Sequence, residues 1–280
     1  MQLILISGLS GSGKSVTLRA LEDSGYYCVD NLPATMLTEA LNLYADFGYD
    51  HIAISVDTRS GPSLGALPDE MRKLREKGAD VRLLFLESQE DTLVKRFSET
   101  RRRHPLSSPG LTVKECITLE RELLADIQEL GTRIDTSDMS ANTLRNWVKT
   151  LVEADTGRLT LVIQSFGFKH GVPLDADFVF DVRCLPNPYY DRELRPLTGH
   201  DQPIIEFFLK CPDVAEMIDD IDSIVGKWLP RFNQEGRSYL TVAIGCTGGQ
   251  HRSVYIARTL AERYAGKRVL VRHRQLDSLP

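Results

Sequence analysis

Short apolar runs alternate with longer amphipathic stretches through the first half of the chain. Leu3 to Ser7, Tyr26 to Val29, Ile52 to Asp57, Arg82 to Leu86 and Arg133 to Asp135 have the length and residue types of buried strands. Between them the spacing predicts helices over Lys14 to Asp23, Ala34 to Phe47, Leu67 to Lys77, Gln89 to Glu99 and Val113 to Leu130. The last has the plainest start signal. Thr112-Val113-Lys114-Glu115 fits a capping box, and Ile117, Leu123, Leu124, Ile127 and Leu130 recur behind it as an apolar stripe. A helix from Ala141 to Val152 closes this unit.

Glu153-Ala154-Asp155-Thr156-Gly157 is the best boundary, dividing the chain into domains of residues 1–152 and 157–280. A second alternation follows it. Strands are expected at Leu159 to Gln164, Phe178 to Val182, Tyr239 to Ile244 and Val269 to Arg272, and helices at Pro203 to Lys210, Val214 to Trp228 and Arg252 to Tyr264. No motif repeats between the halves. The fold class is therefore α/β: an N-terminal domain on a parallel sheet and a second α/β domain with another task.

Composition narrows the setting. Hydrophobic residues make up 42% and charged residues 26% of 280, which excludes a disordered or low-complexity chain. No apolar run approaches the roughly 20 residues that span a bilayer, and the first run lacks a basic leader, so no membrane and no signal peptide are expected. Five scattered cysteines (Cys28, Cys116, Cys184, Cys211, Cys246) form no C-x-x-C pair and suit a reducing cytoplasm. The histidines show no zinc spacing, which leaves Mg²⁺ carried by a nucleotide as the metal to expect. Net charge is −5, yet residues 252–280 hold 7 Lys/Arg against 2 Asp/Glu. That basic patch, Lys267, Arg268, Arg272 and Arg274, is the candidate RNA-phosphate contact, set against a plain solvated surface.

Candidate chemistry starts behind the first strand. Gly8-Leu9-Ser10-Gly11-Ser12-Gly13-Lys14-Ser15 satisfies G-x-x-x-x-G-K-[ST], a loop whose backbone N–H groups converge on phosphate oxygens. Lys14 is placed to reach the β- and γ-phosphates and Ser15 to meet Mg²⁺. Asp57, at the end of an apolar strand, is the candidate metal-linked acid, with Asp30 as its competitor. Arg101-Arg102-Arg103-His104 follows a helix and suits either a basic lid over triphosphate or a solvated charge run. No N-K-x-D pattern occurs, so ATP and GTP are not distinguished.

In the second domain, Gly245-Cys246-Thr247-Gly248-Gly249-Gln250-His251-Arg252-Ser253 joins a strand to a helix. Cys246 and Arg252 have the C-x5-R spacing of cysteine phosphatases, but Gly245 stands where those enzymes place histidine, and an inert buried thiol is the expectation. Anion binding is the stronger reading. Gly248 and Gly249 free the backbone at a helix start, and Arg252 adds a planar charge suited to phosphate. The loop Gln164 to Gly171 could converge on the same place, with Lys169 as a second cation.

Taken together, GLSGSGKS at 8–15, YYCVDNLP at 26–33, RRRHPLS at 101–107, IDTSDMS at 134–140, SFGFKHGVP at 165–173, DVRCLPNPYYD at 181–191, LRPLTG at 194–199 and YLTVAIGCTGGQHRSVYIA at 239–257 resemble the RapZ family across the whole chain. The resemblance implies a kinase-like P-loop domain with weak ATP and GTP hydrolysis. Gly8 to Ser15 would bind ATP, and Asp57-Thr58-Arg59-Ser60 would form a second nucleotide motif linked to GTP. It implies a C-terminal domain that senses an aminosugar phosphate through Lys169, Asp181, Thr247, Gly248 and Arg252 and binds a small RNA for decay by an endoribonuclease. A homo-oligomer is also expected. Two departures stand out: the chain ends Gln275-Leu276-Asp277-Ser278-Leu279-Pro280 instead of in a lysine/arginine cluster, and Tyr189 replaces a histidine of the enteric form.

Overall fold

The computed structural model describes residues 1–154, 159–234, 237 and 239–277. The chain divides into two compact units, Met1–Leu151 and Val152–Pro280. The Asp155-Thr156-Gly157 part of the expected boundary and the terminal Ser278-Leu279-Pro280 lie outside the described residues.

The N-terminal unit is a five-stranded parallel sheet: β1 (Gln2–Gly8), β2 (Tyr27–Val29), β3 (His51–Ser55), β4 (Asp80–Glu87) and β5 (Thr132–Asp135), in the order β2-β3-β1-β4-β5. Helices α1 (Lys14–Glu22), α2 (Leu37–Asp46), α3 (Leu67–Glu76), α4 (Glu90–Thr100), α5 (Val113–Gln128) and α6 (Ala141–Ala154) make the crossovers and close the unit. Leu3, Leu5, Ile52, Ile54, Leu83 and Phe85 build the core under them, because a parallel strand covered on both faces must be apolar along its length. β1 and β4 lie side by side, yet their loops leave in opposite directions, toward β2 and β5. The crevice at their carboxyl ends is where open α/β sheets hold ligands, and the glycine loop opens there.

The expected capping box is present. The Thr112 hydroxyl accepts the Glu115 N–H at 3.3 Å, and the Glu115 carboxylate accepts the Thr112 N–H at 2.7 Å, a device that contributes about 1 kcal/mol. The stripe behind it needs correcting. Leu123 is 55% exposed, whereas Glu120 is fully buried among Ile117, Leu124 and Ile127. Glu120 sits three residues after Ile117 and four before Leu124, on the inward face; Leu123 lies one residue out of step. The expected helix from Ala34 also begins as a 3-10 turn, Ala34–Met36, before α2.

The second unit holds four parallel strands, β6 (Thr160–Gly167), β7 (Phe178–Asp181), β8 (Tyr239–Cys246) and β9 (Val269–His273), ordered β7-β8-β6-β9. Helices α7 (Gln202–Leu209), α8 (Pro212–Gln234) and α9 (Arg252–Arg263) pack on it. β6 and β8 are in register, Gly167 opposite Cys246, so their two glycine loops emerge side by side. All five cysteines are free, and among the described residues no helix is long and apolar enough to cross a membrane.

Candidate functional site

β1 delivers the chain into the first glycine loop. Gly8 has φ +130°, and a Cβ there would lie 1.9 Å from the Leu86 carbonyl oxygen of β4, so only glycine allows this close approach. Gly13, at φ +111°, turns the chain into α1. Lys14, the first residue of α1, donates to the Gly8 and Leu9 carbonyls at 2.7 and 3.1 Å and stands 3.7 Å from Asp57. Burial pushes its amine below the usual lysine range, against the pull of Asp57 and Glu120. Ser15 is exposed at the helix start.

Asp57 follows β3 and caps the 3-10 turn Thr58–Ala66, accepting the Arg59 N–H at 3.0 Å. Arg59 also grips it with the guanidinium, Nη2 to Oδ2 at 2.9 Å. Burial opposes charge on Asp57, but the Arg59 hydrogen bonds and Lys14 outweigh it and hold the carboxyl below its usual range. The competing acid, Asp30, lies 3.6 Å from the same guanidinium. The Asp57-Thr58-Arg59-Ser60 stretch therefore adjoins the glycine loop and forms one charged cluster with it.

Glu120 escaped the sequence reading and joins three of its motifs. Its carboxylate accepts the Ser10 N–H and hydroxyl, both at 2.7 Å, the Thr58 hydroxyl at 2.8 Å, and lies 3.2 Å from His104 Nε2. Burial opposes its ionisation, yet these donors and Lys14 hold its pKa at about 2. His104 is buried beside it, which separates it from the exposed run Arg101–Arg103 with which the sequence grouped it. Arg96 of α4 and Thr136 after β5 were missed too. Arg96 donates to the Gly11 carbonyl at 3.1 Å, and the Thr136 hydroxyl donates to the Ser12 carbonyl at 2.8 Å. The visible signal for Glu120 was an acidic residue at an apolar-stripe position.

In the second unit the two glycine loops meet. Lys169 N–H donates to the Thr247 carbonyl at 3.3 Å, and a Cβ on Gly167 would lie 2.6 Å from the Gly248 backbone. Arg252, buried at the start of α9, donates to the Arg183 and Leu185 carbonyls at 2.9 and 3.1 Å and to the Thr247 hydroxyl at 3.3 Å. Among the described residues its buried Nε has no hydrogen-bond partner, and the acceptors of its hydrogen bonds are neutral. Asp181 is paired with Arg183 through Oδ2 and Nη2 at 2.6 Å, and that guanidinium covers the Phe168 ring at 4.0 Å. Gln275 was also missed: its Oε1 accepts the Gly167 N–H at 2.8 Å and would meet a Cβ on Gly249.

Cys246 is 3% exposed and accepts the Gly249 N–H at 3.2 Å, with the Ser253 hydroxyl also at 3.2 Å. Burial opposes the thiolate, but those two donors and Arg252 draw the thiol below its usual range. The basic terminal patch, by contrast, needs correcting. Arg272 and Arg274 are 4% and 1% exposed: Arg272 on β9 faces Asp175 at 3.7 Å, and Arg274, just after β9, donates its N–H to the Ser165 carbonyl of β6 at 3.1 Å. Of the four, Lys267 and Arg268 keep contact with solvent.

Two family descriptions cover the chain, the RapZ-like N-terminal domain over residues 1–156 and the RapZ C-terminal domain over 159–277. A nucleotide-binding protein of Chromobacterium violaceum is 71% identical over 276 residues, 99% of each chain. The chain belongs to the RapZ family. A second relative from Laribacter hongkongensis, also named a nucleotide-binding protein, is 58% identical over 99% of this chain and 100% of its own. Among solved structures, shikimate kinase from Bacteroides thetaiotaomicron covers 54% of this chain and 98% of its own, at 15% identity and a TM-score of 0.38. For this RapZ-family member the geometry places two strand–glycine loop–helix turns, one in each unit.

Proposed function

We propose that this RapZ-family protein binds a nucleoside triphosphate at Gly8 to Ser15, hydrolyses it slowly, and senses a phosphorylated small molecule at its second glycine loop. The single observation that carries the first part is the glycine-dependent turn from β1 into α1, with Lys14 held between the loop carbonyls and Asp57. Helix N-termini and convergent N–H groups favour phosphate, and Lys14 need only exchange two carbonyl bonds for phosphate oxygens. ATP and GTP are both substrates of this reading, the Asp57-Thr58-Arg59-Ser60 turn being the GTP-linked element.

Mg²⁺ entering with the nucleotide fits the donor set: the exposed Ser15 hydroxyl and the ionised Asp57 are the residues to hold it, and it would neutralise phosphate charge. The protein's own contribution is charge and position, the main levers in phosphoryl transfer. The buried carboxylates near the loop are poor bases. Asp57 is tied to Arg59, and the lone pairs of Glu120 are filled, so neither takes a proton from water readily. Slow turnover, suited to a regulatory cycle in a cytoplasmic protein, follows.

For the second unit, an aminosugar phosphate is the ligand implied by family. The buried Arg252, with Lys169, Thr247 and the freed backbone at Gly248 and Gly249, supports an anion there, and Asp181 borders it. Titration of the intact protein with MgATP, MgGTP and an aminosugar phosphate tests both halves. Absence of any Lys14-dependent nucleotide binding would dispose of the reading.

A further inference from the structure

Glu120 is a fully buried carboxylate with every acceptor position in use. Oε1 accepts the Ser10 and Thr58 hydroxyls, and Oε2 accepts the Ser10 N–H and faces His104 Nε2. A carboxylate offers about four lone-pair sites, and here four donors meet them. The His104 tautomer follows from its other nitrogen. Nδ1 accepts the Leu106 N–H at 3.2 Å, so the ring proton sits on Nε2 and points at Glu120. The donors come from three separate stretches: the glycine loop, the turn after Asp57, and the segment that directly follows the arginine run.

Resting on the nucleotide reading above, we infer that Glu120 is the positioning residue for turnover, holding loop, Asp57 turn and arginine-bearing segment in one register through Ser10, Thr58 and His104. It has no free lone pair with which to act as a base. Its anionic charge orients donors from three residues at once, and an ångström of slack in any of them misplaces Lys14, Asp57 or the exposed Arg101–Arg103 run relative to bound phosphate.

Glu120→Gln would turn an NH₂ group toward donors and endanger the fold, so the test works through the partners in the full-length protein. Thr58→Val and His104→Leu each remove one donor, whereas Thr58→Ser and His104→Gln keep one. The expected result is a fall in kcat for ATP of about tenfold for Val and Leu, with ATP affinity changed less than about threefold, and recovery of most activity in Ser and Gln. The Val/Leu double variant should lose less than the product of the two, since both act through one carboxylate. Equal rates for His104→Leu and His104→Gln, or losses that follow only the unfolded fraction measured by circular dichroism, overturn the inference. Lys14→Ala separates the two readings. If wild-type turnover depends on Lys14 while Thr58→Val and His104→Leu match wild type, the Glu120 inference alone falls. If turnover is absent or independent of Lys14, both fall.

Discussion

The two glycine loops share a plan and differ in how they hold their cation. In the first, Lys14 stands among the carboxylates Asp57 and Glu120, so the turn is neutralised from within. In the second, Arg252 is buried against two carbonyls and a hydroxyl, and the residue beneath the loop is a thiol. A self-neutralised loop exchanges partners when a phosphate chain and its metal arrive together. A loop with surplus positive charge favours a lone anion. On the proposed reading, this difference suits nucleotide in the first unit and a smaller phosphate ester in the second.

The sharpest way to break the comparison is at the close approaches. Gly8→Ala places a Cβ 1.9 Å from the Leu86 oxygen at φ +130°, and we expect a loss of about 4 kcal/mol or failure to fold. Gly249→Ala meets a movable Gln275 side chain at 2.3 Å and the Gly167 nitrogen at 2.8 Å, and should cost less; thermal melts of both variants rank them. Lys14→Ala should lower nucleotide turnover by about 100-fold or more, read as phosphate release from ATP and GTP.

Acid separates the units by pH window. Burial, with His200 at its side, lowers His273 to about 4 from an ordinary 6.5. The unfolded chain therefore takes up this proton first, and the second unit loses stability as pH falls from about 6.5 to 4. Glu120 titrates at about 2 instead of 4.5; its contribution to the first unit is complete above 4.5 and is lost as pH falls toward 2. Each contribution is about 3 kcal/mol. Trp147 in α6 and Trp228 in α8 report the units separately by fluorescence when the other is replaced by phenylalanine, and the Trp228 transition should start at the higher pH.

Smaller effects refine the second loop. Arg252→Lys keeps a charge but loses the planar fork, so affinity for a phosphate ester should fall about tenfold by calorimetry. Gln275→Ala frees the Gly167 N–H and loosens the paired loops, with an expected loss of about threefold.

The features legible in sequence were those whose chemistry fixes residue types at short range. Gly8 to Ser15 must contain glycines at set spacings and one lysine, and Thr112 with Glu115 forms its box within one turn. Glu120 was hidden because its partners, Ser10, Thr58 and His104, lie 110, 62 and 16 residues away, and a stripe read by hydrophobicity passes over the acid inside it. Arg272 looked like surface charge for the same reason: Asp175, across the fold, is invisible to a count of local charge. The convergence of Lys169 with Thr247 depended on β6 and β8 being neighbours, which alternation alone does not order.

Calorimetric titration of the full-length protein with MgATP and with an aminosugar phosphate, in wild type, Lys14→Ala and Arg252→Lys, tests the two-loop account most directly. The account predicts that Lys14→Ala removes the ATP isotherm and leaves the sugar phosphate one, while Arg252→Lys weakens only the sugar phosphate. Loss of both ligands in one variant, or displacement of either ligand by the other, would contradict it.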